Sequence, residues 1–138
     1  MNEAFPVRVF VYGTLKQGEG NHICMIEARA TFACRAKTKE YRRMVCSGIP
    51  FLHDGHDPEG YQVEGEIYEI PDSAGLGVLD GLEGNGSFYQ RKMDAFIDED
   101  GAELTAWVYY IMRPREGKAC RNYTGRVLSS MGTFGEGM

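Results

Sequence analysis

The segment from Ser87 to Met112 constrains the fold most. Asp98-Glu99-Asp100-Gly101 is a turn signal between two runs, Ser87 to Ile97 and Glu103 to Met112. The pattern predicts a β-hairpin. Its second strand contains LTAWVYYIM, which is apolar on both faces. Such a strand has to be covered on two sides, so it belongs at the centre of a sheet with a further layer upon it.

The remaining elements are arranged around that hairpin. Val7 to Tyr12 reads as a strand of β-branched and aromatic residues. Asn21 to Arg29 reads as a short helix, with Ile23 and Ile26 three apart and Asn21 as its N-cap. Thr31 to Lys39 and Glu40 to Cys46 follow as strands. Ser47 to Gly60 is dense in Gly, Pro, Asp and Ser and reads as a loop. Tyr61 to Ile70 is a strand with Val63, Gly65 and Ile67 on one face and Glu64 and Glu66 on the other. Gly65 marks a bend or a bulge there. Pro71-Asp72-Ser73 opens a short helix with Leu76, Leu79 and Leu82 spaced by three. Gly75, Gly77 and Gly81 each cost that helix about 1 kcal/mol relative to Ala, so packing has to hold it. Strands dominate, and the class is α+β around a mixed or barrel-like sheet. The 138 residues suit a single domain spanning 1–138, with a core of about 7–112 and a polar, Gly-rich tail at 113–138. The last residues, Gly132 to Met138, are expected to be loose.

Net charge is −5, with no excess of Lys and Arg to attract phosphate backbones or anionic lipid. Nucleic acid and membrane are therefore not expected partners. Arg35, Lys37, Lys39, Arg42 and Arg43 form the one local run of basic residues, and it reads as a solvated face. No basic segment followed by a long apolar one opens the chain, and no run reaches a membrane-spanning length. A cytoplasmic location is expected. Cys24, Cys34, Cys46 and Cys120 form no CxxC pair and read as buried or free thiols. His53-Asp54-Gly55-His56-Asp57 has the residue types of a divalent-metal site but no third set of ligands at a suitable spacing, and metal binding is not expected. Nothing in the sequence specifies an oligomeric state.

VFVYGTLKQGEGNH, Val9 to His22, places a glycine-punctuated turn after a strand. Gly13 and Gly18 fit the outer glycines of a phosphate loop, but Glu19 and Gly20 follow where Lys and Ser or Thr are needed. An anionic side chain there repels phosphate. Two readings remain for the loop. It is an ordinary strand-ending turn, or it presents successive backbone N–H groups to a small anion such as a carboxylate.

That stretch, together with LDGLEGNGSFYQR from Leu79 to Arg91, resembles the gamma-glutamylcyclotransferase-like family, closest to its gamma-glutamylamine cyclotransferase branch. The matching pieces are Tyr12-Gly13-Thr14-Leu15, Leu79-Asp80-Gly81-Leu82-Glu83-Gly84 and Tyr89-Gln90-Arg91. Between them lies Val63-Glu64-Gly65-Glu66-Ile67-Tyr68. Order matches from Val7 to about Met112. Asn85-Gly86 depart from the family, which often carries bulkier residues or proline there. The resemblance implies a small mixed or antiparallel β-barrel flanked by short helices. It also implies a cavity lined by the YGTL loop and conversion of a gamma-glutamyl amide to 5-oxoproline and a free amine. No metal and no cofactor are implied. The substrate is expected to be a small gamma-glutamyl compound, with gamma-glutamylamines favoured over gamma-glutamyl peptides. The alternative is a non-catalytic binding module on the same fold.

In that reaction the substrate's own α-amine attacks its own γ-carbonyl, so the nucleophile is tethered and the protein need not supply one. The ammonium has to lose a proton and the departing amine has to gain one. A single carboxyl group can serve both steps. The resemblance assigns this role to Glu83; from the residues alone it reads as an exposed glutamate at a helix end. Gly84 after it is a C-cap signal, and both a helix C-terminus and burial would raise the carboxyl's pKa. The amides of Gly13, Thr14 and Leu15 are expected to hold the glutamyl carboxylate or the developing oxyanion, with Tyr12 as a wall. Asp80 either caps, faces solvent, or raises the Glu83 pKa from one turn away. Tyr89 and Arg91 share a strand face, and Arg91 either binds a carboxylate or forms a structural ion pair. Tyr110 either points its hydroxyl into the cavity or is a core tyrosine.

Overall fold

A computed structural model describes residues 4–13 and 15–123. Thr14 and the tail beyond Tyr123, with the expectations placed on them, lie outside the described residues.

The chain runs β1 (Val7–Val11), α1 (Ile23–Glu27), β2 (Thr31–Thr38), β3 (Met44–Ser47), β4 (Ile49–Leu52), β5 (Glu64–Ile70), α2 (Ser73–Glu83), β6 (Tyr89–Asp98) and β7 (Glu103–Ile111). Five strands close into a barrel in the order β1-β5-β2-β6-β7. Its neighbours are antiparallel except at the seam, where β1 and β7 run parallel and Val9 lies opposite Trp107. The expected small mixed barrel with two short helices is what forms. β6 and β7 are the predicted hairpin, with Ile97 opposite Glu103 and the turn closed by Gly101 N–H donating to the Asp98 carbonyl at 3.0 Å.

Alternation along the strands creates two apolar layers. Phe10, Ala36, Ile67, Phe96 and Val108, one from each strand, fill the barrel interior. The opposite faces of β1 and β7, carrying Val7, Val9, Val11, Tyr109 and Ile111, pack with Met25 and Ala28 of the α1 region and Leu76 and Leu79 of α2. β7 is thus covered on both sides, as its composition requires. Gly65 and Ile67 lie on the buried face of β5, and Val63 just before the strand is buried with them. Gly65 is there for proximity: a Cβ would stand 2.4 Å from the Val11 carbonyl oxygen and 2.6 Å from the Phe10 ring. The register shift lies instead in β2, between Phe32 and Cys34.

Several expectations are corrected. Ser47–Gly60 is not all loop, because Ile49–Leu52 pairs with β3 in a separate two-stranded hairpin. Pro50 is tolerated because that strand has only one partner. The strand expected from Glu40 begins at Met44, and the one expected from Tyr61 begins at Glu64. α1 buries Met25 and leaves Ile23 and Ile26 58% and 62% exposed. Its N-cap position is His22, without a side-chain cap bond, rather than Asn21. α2 is capped at both ends as its sequence predicts. The Asp72 carboxylate accepts from the Gly75 N–H, and Gly84 takes the left-handed conformation (φ 61°). The basic run is not one solvated face: Arg42 is buried against Asp94, Arg43 pairs with Asp57, and Lys39 pairs with Glu103. Among the described residues, no helix is long and apolar enough to cross a membrane.

Candidate active site

A cavity of about 160 Å³ opens where the end of β1, the hairpin β3–β4 and the end of α2 meet. Tyr12, Gly13 and Leu15 line it from the β1 side, Ile49 and Pro50 from β4, and Leu82 and Glu83 from α2. Phe10, Val11, Asn21, Phe88, Tyr89 and Tyr109 complete its described wall. The Gly13 backbone lies against Pro50, where a Cβ would stand 2.5 Å from the ring. The loop after β1 is secured on three sides. His22 Nδ1 donates to the Leu15 carbonyl at 2.9 Å, and Gln17 N–H donates to Glu66 at 2.9 Å. Lys16 Nζ donates to Asn122 Oδ1 and to the Tyr123 carbonyl. The one lysine of the loop is thereby committed to the chain itself.

Among the described residues, Glu83 is the only acidic one lining the cavity. Its carboxyl is pushed up to about 7, and the cause is burial. Among the described residues it has no hydrogen-bond or ion-pair partner. Asp80, one turn earlier, is the opposite case. It accepts from the Tyr109 hydroxyl at 2.6 Å and pairs with Arg91 Nε at 3.0 Å. Asp80 is neither exposed nor a cap, and it has no part in the Glu83 shift. Arg91 takes the structural alternative: its guanidinium pairs with Asp80 and lies over the Trp107 ring, 4.4 Å from the centroid.

The tyrosines divide between two places. The Tyr12 hydroxyl donates to the Tyr109 carbonyl, and the Tyr89 hydroxyl donates to the Pro50 carbonyl at 2.7 Å. Burial raises both hydroxyls above the ordinary tyrosine range, so they remain protonated walls and struts. Tyr110 is a core residue whose hydroxyl donates to Asp94, which also pairs with Arg42 at 2.8 Å. It does not line the cavity; Tyr109 does. Besides Tyr109, Phe10, Val11, Asn21, Ile49, Pro50, Leu82 and Phe88 belong to the wall without having been expected there from the sequence. The signal for Tyr109 was present, because the hairpin register sets it opposite Arg91.

Elsewhere, a larger hollow of about 760 Å³ lies over β2, β5 and β6, lined by opposed charges such as Arg35, Lys37, Glu64, Glu66, Asp98 and Glu99. It shares no lining residue with the cavity. The His53–Asp57 segment does not converge: Asp54 pairs with Lys92, His56 with Glu40 and Asp57 with Arg43. His53 bridges the Arg43 carbonyl and the Arg115 N–H.

The family model described as gamma-glutamyl cyclotransferase, AIG2-like, matches residues 9–127. The crystal structure of an AIG2-like protein from Mus musculus superimposes with a TM-score of 0.79 at 31% identity, covering 88% of this chain and 90% of that one. The gamma-glutamylaminecyclotransferase of Rattus norvegicus is 46% identical over 90 residues, 60% of this chain and 58% of the rat protein. That of Bos taurus is 42% identical over 108 residues, 73% of this chain and 63% of the bovine one.

Proposed function

This chain belongs to the gamma-glutamyl cyclotransferase, AIG2-like family, and from that premise we propose that it converts a gamma-glutamyl amine, or a related gamma-glutamyl amide, to 5-oxoproline and a free amine, with Glu83 as acid and base. One observation carries the reading. A carboxyl group held near neutrality by burial lines a cavity bordered by the Tyr12–Leu15 loop. A group of pKa about 7 takes and returns a proton with little bias at neutral pH.

The glutamyl moiety enters with its α-ammonium toward Glu83. The carboxylate takes one proton, and the freed amine attacks the γ-carbonyl of the same molecule to close the five-membered ring. The protonated Glu83 then donates to the departing amine as the C–N bond breaks, and the carboxylate so regenerated takes the surplus proton from the ring nitrogen, which leaves with the released amine as its ammonium. Charge on the tetrahedral oxygen and on the glutamyl carboxylate needs fixed donors, and the backbone amides of Gly13, Thr14 and Leu15 are assigned to it. Tyr12 and Tyr89, tied to carbonyls by their own hydroxyls, keep the wall rigid. Every step uses groups of the chain or the substrate.

The test is incubation with a panel of gamma-glutamyl amines and dipeptides, reading 5-oxoproline by mass spectrometry, with Glu83→Gln alongside. Product from wild type and a loss of about 10² to 10⁴-fold in the variant supports the role. Near-wild-type turnover by the variant sinks it. For wild type, kcat/KM should rise with pH up to about 7, where Glu83 ionises, and then level.

A further inference from the structure

The cavity is small. Its 160 Å³ compares with roughly 300–1,000 Å³ for sites that enclose a drug-sized ligand. On the cyclotransferase reading, on which this inference rests, the glutamyl moiety occupies it and the amine to be released projects through the mouth. The mouth is marked by the lining side chains that are also exposed: Ile49, Leu82 and Phe88, each about 40% accessible. They are apolar and suit a hydrocarbon spacer.

Among the described residues, one cation, Arg115, stands over this rim. The Arg115 guanidinium lies 4.5 Å from the Phe51 ring centroid and 5.8 Å from that of Phe88. The two rings contact each other edge to face at 6.3 Å. Its backbone is fixed independently of its side chain, because the Arg115 N–H donates to His53 Nε2 at 2.8 Å. Among the described residues no carboxylate pairs with the guanidinium, unlike Arg42, Arg43 and Arg91. Its field reaches the cavity, where it opposes the rise that burial and Glu83 give the Tyr89 hydroxyl. Stacking on aromatic rings restrains a guanidinium while leaving its N–H edge free for an anion.

We propose that Arg115 is a specificity-determining residue that receives a carboxylate on the leaving amine, so that the favoured substrates are gamma-glutamyl conjugates of amines bearing an anionic group a few methylenes from the scissile amide. The hydrocarbon spacer lies on Ile49, Leu82 and Phe88, and the carboxylate accepts from the guanidinium.

Three gamma-glutamyl amides of matched length test this: those of 4-aminobutyrate (anionic), butylamine (neutral) and putrescine (cationic). Wild type should favour the anionic over the neutral amide by about tenfold in kcat/KM, the scale of a charge-assisted contact at a partly exposed site. That preference should shrink with added salt. Arg115→Met keeps an apolar stem against Phe51 and Phe88, and should bring the ratio close to one. Arg115→Lys should restore part of it. Turnover of all three amides at equal efficiency by wild type overturns the proposal. So does a loss in Arg115→Met that is equal for all three, which would mark a structural role. 5-Oxoproline from none of them would overturn the cyclotransferase reading itself, and this inference with it.

Discussion

Asp80 and Glu83 are one helical turn apart on α2, and their surroundings have opposite chemistry. Asp80 is saturated by a guanidinium and a phenol, each on a strand of the barrel. Glu83 faces the cavity, and among the described residues neither kind of group is hydrogen-bonded to it. The pattern around Asp80 occurs a second time, where Asp94 is held by Arg42 and Tyr110. Among the described residues, an arginine and a tyrosine together hold Asp80 and Asp94, and no such pair holds Glu83. A buried carboxyl without partners is a stability cost, and here it lies at the proposed reaction centre.

Substitutions at these two positions should separate function from stability. Glu83→Gln gives the largest expected effect, the loss of turnover described above, with the fold intact by circular dichroism. Asp80→Ala should act the other way. It leaves Arg91 without its carboxylate and should cost about 2 kcal/mol in denaturant unfolding, discounted from a fully buried pair because both groups are partly exposed. Residual turnover below the melting transition should stay within tenfold of wild type. Loss of activity matching Glu83→Gln would break the distinction between the two carboxylates.

The third test uses pH. The Glu83 carboxyl ionises at about 7 when folded and at its ordinary 4.5 when unfolded. The folded state binds the extra proton between those values, so stability is full below about 4.5 and declines as pH rises to about 7. Glu83→Gln removes that term. The variant should match wild type at pH 4.5 and exceed it by about 3 kcal/mol at pH 8. Equal melting temperatures at both pH values would show that the carboxyl is not strained by burial. The smallest effect is expected for Tyr109→Phe, which deletes the hydroxyl on Asp80 but keeps Arg91, at about 1 kcal/mol.

How much of this was legible follows from what kind of signal each element carries. The β6–β7 hairpin and both ends of α2 were readable because turn and cap residues act locally: Gly101 closes the turn, Asp72 accepts an N–H, and Gly84 takes a positive φ. β4 was missed because Gly48 and Pro50 read as breakers, whereas Gly48 has a left-handed φ of 79° in the link between β3 and β4 and Pro50 sits on a strand with one partner. Two features of the cavity, the Gly13 contact and the Tyr89 anchor, rest on Pro50. The choice of Tyr110 over Tyr109 has a different origin. A strand apolar on both faces gives no alternation to read, so its inward and outward residues look alike. Register decides: with Ile97 opposite Glu103, Tyr109 falls opposite Arg91, and Tyr110 falls opposite Gln90. The Asp80–Arg91 pair joins residues 11 apart on different elements. Glu83 was found through the family motif, since the cause of its shift, burial, is a property of the assembled wall.

The seam of the barrel has a consequence for how the enzyme comes into being. β1 meets β7 across almost the whole described chain, and the Tyr12 hydroxyl reaches the carbonyl of a residue 97 positions later. Among the described strands, β1 thus waits for β7 before the pocket has two sides. Contacts of such long sequence separation make folding slow. On a ribosome, β1 emerges before β7 and stays without that neighbour until β7 has cleared the exit tunnel. The cavity is therefore a property of the closed barrel, and partial chains ending before β7 lack the wall that Tyr109 supplies.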